Sequence, residues 1–214
     1  HVENVIVYGV RGTGKTVLLD EFNKICVQGG YLPIRRSQFS DKYCNVDEFE
    51  KAFKYDLRVS IETFSKMSWL KNKMKAGISY LKPSSVGVPD LFYYEPSYRR
   101  SKDMPFEDYL QDYLEKNWPI FEKAGKKAVI FLYDEFHTVT DKKRDGQYVL
   151  SDFLAAINET QKQGRKYFVV LCGLPNLQLN IKKARSYSER MFNLIEVGNL
   201  NVEEGHLAIE KALK

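Results

Sequence analysis

Cysteine is scarce in this 214-residue chain. Cys26, Cys44 and Cys172 make an odd set of three, and no two stand in C-x-x-C spacing. That argues against a disulfide framework and a cysteine-built metal site, and it fits a reducing, cytoplasmic setting. No apolar run approaches the ~18 residues of a membrane helix, so no membrane partner is expected. No secretory leader is visible in these residues, and none is expected. No internal repeat or low-complexity tract is visible, so the length is free for one folded domain. A lead-in is also missing: residues 1–4 run straight into the first apolar segment, as in a fragment of a longer protein.

What is present is ordinary for a soluble globular protein, with 43% hydrophobic and 29% charged residues. The length suits one large α/β domain. The net charge of +5 is compatible with nucleic acid without demanding it, because a phosphate-binding site is itself basic. A basic cluster at Lys66, Lys71, Lys73 and Lys75 reads as a solvated helix face, since no nucleic-acid reader motif accompanies it.

The most informative stretch is Gly9-Val10-Arg11-Gly12-Thr13-Gly14-Lys15-Thr16, which fits the phosphate-loop pattern G-x-x-x-x-G-K-[ST]. The β-branched run before it reads as a buried strand, and the segment from Val17 onward reads as a helix. That context separates a phosphate site from a plain glycine turn before a surface helix. Glycines let the backbone approach an anion and take positive φ, and the helix start adds partial positive charge. In such a loop Lys15 reaches the β- and γ-phosphates, and the Thr16 hydroxyl binds Mg2+.

Downstream, the pattern predicts a helix over 15–27 ending at Gly29-Gly30, then a strand over 31–36 in which Pro33 argues for an edge. A long helix follows, with Val46, Phe49, Phe53, Leu57 and Ile61 opening an apolar stripe that extends through Phe64, Met67, Leu70 and Met74. Asn45 with Glu48 resembles a capping pair. Residues 77–105, rich in Pro, Gly and Tyr, read as an irregular insertion. A helix starts near Pro105 and is expected to kink or end at Pro119. Strands are expected over 128–133, 167–172 and 194–197, with helices around 150–157, over 177–184 and from Asn201.

Ala128-Val129-Ile130-Phe131-Leu132-Tyr133 is the clearest strand, and it ends in Asp134-Glu135. An apolar strand ending in two acids, downstream of a phosphate loop, has the Walker B arrangement. Asp134 would hold Mg2+, and Glu135 stands where a general base could polarise the attacking water. The bland reading is an acidic turn after a core strand. A Glu directly after the metal-binding Asp favours hydrolysis over transfer to a small substrate. Asp134-Glu135-Phe136-His137 also fits the D-E-x-H signature of helicases, but 214 residues do not hold the two domains a helicase needs.

Together with Cys172-Gly173-Leu174-Pro175-Asn176 and Ser186-Tyr187-Ser188-Glu189-Arg190-Met191-Phe192, these motifs resemble bacterial and archaeal AAA+ ATPases related to the origin-recognition initiator and STAND groups. The resemblance implies one core domain over 1–214. Its fold would be a three-layer α/β/α P-loop NTPase sandwich with a mainly parallel five-stranded sheet of order 5-1-4-3-2. It implies ATP or ADP on residues Gly9, Val10, Arg11, Gly12, Thr13, Gly14, Lys15, Thr16 and Val17, with Mg2+ on Thr16 and Asp134. It gives Asn176 a sensor role after the fourth strand. It also implies a homo-oligomer, in which Arg190, or else Arg185, reaches a neighbour's nucleotide. The family's helical lid and winged-helix domain are missing here, so DNA is expected as a partner only through a domain absent from this chain. The alternatives are a nucleotide-held assembly module with negligible turnover and a small-molecule phosphotransferase.

Overall fold

The computed structural model describes residues 3–75, 100 and 104–199, with 201, 203, 204, 206 and 210 beyond them. The expected insertion at 77–105 lies outside the described residues except at Arg100, Met104 and Pro105. Five strands form one all-parallel sheet: β1 (Asn4–Tyr8), β2 (Leu32–Arg36), β3 (Val129–Tyr133), β4 (Tyr167–Gly173) and β5 (Phe192–Glu196). Their spatial order is β2-β3-β4-β1-β5, which is the expected 5-1-4-3-2 read from the other edge. The helices are α1 (Lys15–Gln28), α2 (Val46–Lys75), α3 (Phe106–Lys123), α4 (Val149–Lys162) and α5 (Asn176–Ala184).

Strand order and handedness decide where the helices lie. The step from β1 to β2 runs toward one edge of the sheet, past β4 and β3. Every later step, β2 to β3, β3 to β4 and β4 to β5, runs the other way. Parallel crossovers are right-handed, so α1 must cover one face and α2 to α5 the other. The side chains follow this division. Ile6, Phe131, Tyr133, Val169 and Leu171 pack in the large core beneath α2 to α5. Their neighbours in sequence, Val7, Ile130, Leu132, Val170 and Cys172, pack against Leu19, Leu18 and Phe22 of α1. Because both faces are covered, β3 is buried at all five positions, which explains its unbroken apolar run.

The large core is aromatic. Phe53 lies 5.0 Å from Phe131, Phe49 lies 5.3 Å from Phe153, and Tyr133 lies 5.7 Å from Phe136. Each such ring contributes roughly 1.5–3 kcal/mol by leaving water. The stripe on α2 is a core face as far as Ile61, while the side chains of Phe64, Met67, Leu70 and Met74 lie outside the described ones. Asn45 Oδ1 accepts from the N–H groups of Asp47 and Glu48 at 3.0 and 3.2 Å, so it caps α2. Glu48 does not return the bond, and pairs with Lys51 at 2.7 Å. Arg100 is tied to the same helix start through Asp47 at 3.2 Å and Glu50 at 3.4 Å.

Two expectations need correction. Of the two outcomes expected at Pro119, an end is excluded, because helix α3 runs through it to Lys123. Trp118 and Phe121 pack against Tyr167 at 5.4 and 6.1 Å, and their burial outweighs the backbone bond that proline cannot make. Strand β5 begins at Phe192, two residues earlier than expected. Phe192 is its buried anchor, whereas Leu194 and Ile195, which marked it in the sequence, are exposed. Pro33 does lie on an edge strand, since β2 pairs with β3 alone.

One ion pair between buried Asp56 and largely covered Arg36 fastens α2 to the sheet. The Nε and Nη2 groups of Arg36 each donate to Asp56 at 2.7 Å, and Arg36 also reaches the Ala52 carbonyl at 3.2 Å. Asp56→Ala leaves that largely covered guanidinium without its counter-charge. It is expected to lower stability by about 3 kcal/mol, measured as a shift of the urea midpoint at unchanged slope. An unshifted midpoint would show that the pair contributes nothing.

Candidate functional site

In a parallel sheet the loops after the strands gather at the carboxyl edge. A crevice opens where neighbouring strands send their chains to opposite faces. Here those neighbours are β1, which leads to α1, and β4, which leads to α5. The glycine loop after β1 lies at this point, and the Gly9 N–H donates to the Gly173 carbonyl at 3.3 Å. A Cβ on Gly9 would come within 2.2 Å of the Val197 carbonyl oxygen, so no other residue fits. Gly12 and Gly14 both have φ of 85°, a left-handed turn that delivers the chain into α1. Helix α1 starts without a side-chain cap and without an acidic residue in its first turn. Its first amides and its dipole are thus left for an anion from outside.

Lys15 is buried, and its Nζ donates to the Val10 carbonyl at 2.6 Å. Thr13 donates to the same carbonyl at 3.0 Å. Strand alternation turns Tyr133 toward the large core and Asp134 toward α1. There the Thr16 hydroxyl donates to Asp134 Oδ2 at 2.8 Å. Asp134 is buried, its Oδ1 accepts the Glu135 N–H at 2.9 Å, and Arg35 Nη2 stands 3.7 Å from Oδ2. Burial pushes the Cys172 thiol up to about 12. The charge of Asp134 and a hydrogen bond to it act in the same direction, against Lys15 and Arg35. Cys172 is therefore a protonated neighbour of Asp134, not a nucleophile.

Glu135 has φ of 54° and ψ of 25°, the only positive φ outside glycine among the described residues. The chain then makes a short 3-10 turn, Phe136–Thr138, anchored by fully buried Phe136. Burial holds the His137 imidazole below its ordinary pKa. Glu135 and Asp134 oppose that shift, while Arg11 and Lys15 add to it.

Arg11, Gly12, Gly14, Lys15, Thr16, Ser37, Gln38, Asp134 and Glu135 line a cleft of about 460 Å3. A larger cleft of about 800 Å3 lies at the opposite edge of the sheet, beside Asn4, Phe168 and Phe192 at the strand starts. The smaller one is the better candidate, because a buried lysine, a buried carboxylate and an uncapped helix start converge there. Val10 and Val17 are exposed and do not line it. Asn176 is the exposed first residue of α5, whereas Asn180, one turn on, donates to the His137 carbonyl at 2.9 Å. Arg190 lines the opposite-edge cleft. Sequence reasoning passed over Arg35, Ser37, Gln38, Cys172 and Asn180. Alternation along β2 was the available signal for Arg35, since it puts Arg35 and Arg36 on opposite faces.

Arg185 is engaged within the chain, with Glu107 at 2.6 Å and Asp152 at 3.7 Å. Burial raises the Asp152 carboxyl to about 6. Glu107 and Asp141 reinforce the rise, and Arg185 and Arg100 oppose it. Folded Asp152 thus holds its proton in a window where the unfolded chain, titrating near ~4, has lost it. Its contribution is full below about pH 4 and is lost as pH rises through about 6. Asp152→Asn is expected to flatten that part of the stability–pH curve relative to the natural chain, read by denaturant unfolding from pH 4 to 7.5. Parallel curves for the two proteins would contradict it.

Among the described residues no helix is long and apolar enough to cross a membrane, and no group of three or more His, Cys, Asp or Glu side chains is placed to hold a metal. The chain matches no protein-family model and no curated protein.

Proposed function

We propose that this chain is a P-loop ATPase with an AAA+-like core, which binds ATP with Mg2+ and hydrolyses it to ADP and phosphate to drive a conformational switch. The observation that carries the reading is the 2.8 Å bond between Thr16 and Asp134, residues 118 positions apart that meet at one point beside an uncapped helix start.

Each residue then has a role that its surroundings support. The free amides of the glycine loop and of the first turn of α1 receive phosphate oxygens. Lys15 exchanges the Val10 carbonyl for the β- and γ-phosphates, and its burial strengthens that attraction. Thr16 and Asp134 are hard oxygen donors, and one carboxylate with one hydroxyl suits an ion that completes its shell with phosphate and water. Thr16 and Asp134 would hold Mg2+ there, and the ion would supply positive charge to offset that on the phosphates. Glu135, half-exposed at the cleft wall, takes a proton from the water that attacks the γ-phosphorus, and ADP leaves.

Arg190 is exposed at the edge opposite the glycine loop, so within one chain it stands away from Lys15. A role at a nucleotide requires a second copy, which makes a homo-oligomer part of this reading. Arg185, already paired with two carboxylates, is the less available of the two arginines. DNA enters the reading only through segments outside this chain.

Lys15→Ala is expected to abolish nucleotide binding in a fluorescent-nucleotide titration. Glu135→Gln is expected to keep binding and lower phosphate release by about 10²–10⁴-fold. Unchanged turnover in both variants would sink the assignment. Tight nucleotide retention without phosphate release in the natural chain would favour a nucleotide-held assembly module.

A further inference from the structure

The ATPase reading leaves one buried polar group of the site without a task. His137 is 8% exposed, and its Nδ1 has no hydrogen-bond partner. Its Nε2 lies 3.7 Å from Glu135 Oε2. We propose, resting on the ATPase reading, that His137 is the positioning residue for Glu135: its Nε2–H holds the Glu135 carboxylate in one orientation at the cleft wall.

Three constraints make the ring a fixed support. Gly173, at the end of β4, packs flat against it, and a Cβ there would come within 2.9 Å of His137 Cβ and 3.0 Å of Nδ1. The His137 carbonyl is held by Asn180 of α5 at 2.9 Å. The turn that carries the ring is closed by Thr138 Oγ1 on the Glu135 carbonyl at 3.0 Å and rooted in the core by Phe136. Glu135 is the mobile partner, with 37% of its side chain exposed. A side-chain rotation shortens 3.7 Å to a hydrogen bond, and such bonds commonly tighten only in the substrate complex.

The chemistry favours this direction of donation. The carboxylate beside Nε2 holds the proton on that nitrogen and leaves Nδ1 as a bare acceptor against Gly173. Burial keeps the ring neutral. A neutral N–H orients a carboxylate and leaves it able to take a proton, whereas an imidazolium would weaken it as a base. The D-E-x-H spacing then has a local meaning, because the 3-10 turn returns the fourth residue to the side chain of the second.

The test compares phosphate release by the natural chain with His137→Gln, His137→Asn and Gly173→Ala. The amide nitrogen of Gln reaches the position of Nε2, and that of Asn does not. His137→Asn is expected to lower kcat by about 10–100-fold, with KM and nucleotide affinity unchanged within about two-fold. His137→Gln is expected to recover most of kcat. Gly173→Ala, which displaces the ring without altering it, is expected to lower kcat in the same manner. Equal losses in Gln and Asn variants, or a loss that tracks nucleotide affinity or the thermal midpoint, would overturn the positioning role. If the natural chain turns over and every variant matches it, this inference alone fails. If the natural chain releases no phosphate at all, the ATPase reading fails and takes the inference with it.

Discussion

The structure depends on the handedness of parallel crossovers. With the strand order β2-β3-β4-β1-β5, one step in the chain runs against all the others, and it is the first. That reversal isolates α1 on its own face and leaves the aromatic side chains of α2 to α4 to build a deep core on the other. It also opens the crevice between β1 and β4. The glycine loop lies in that crevice because the chain must turn there to start the one helix that crosses the other way.

Electrostatics then follow from alternation along the strands. Residues at the ends of β2, β3 and β4 that point toward α1 are Arg35, Asp134 and Cys172, and all three meet at the start of that helix. Residues one place away point into the opposite layer, where Arg36 pairs with Asp56 and Tyr133 stacks on Phe136. The sheet thus separates an ionic layer near the cleft from an aromatic layer beneath it. Lys15 and Asp134 are both buried, so each charge acts through little water, and each has a hydrogen-bond partner, the Val10 carbonyl for Lys15 and the Thr16 hydroxyl for Asp134.

Much of this was legible in the residues. The fully apolar run of β3, the glycine loop and the sheet order could be read because each rests on local pattern or on a topology that resemblance supplied. The edge position of β2 could be read from Pro33, since a missing N–H is tolerable only there. What could not be read depended on packing over distance. Nothing local to Pro119 says that Trp118 and Phe121 will be held by Tyr167, nearly fifty residues on. Phe192 anchors β5 although its next residue is the polar Asn193. Asn180 sits one helical turn beyond Asn176, and only the path of the turn at Phe136–Thr138 brings it to the His137 carbonyl. At the cleft, the sequence marked Lys15, Asp134 and Glu135 and missed Arg35, which faces Asp134, and Asn180, which holds the turn after it.

The backbone of Glu135 carries a consequence for any redesign of this chain. A left-handed glutamate costs on the order of 1–3 kcal/mol, and glycine would relieve it. A search for thermal robustness would therefore select Glu135→Gly early, improving the scaffold while deleting the carboxylate at the cleft. On the proposed function the position is a case of opposed selection, in which folding favours glycine and the proposed water activation requires the acid. On the ATPase reading, a variant library screened for heat resistance alone would lose its water-activating group through this one site.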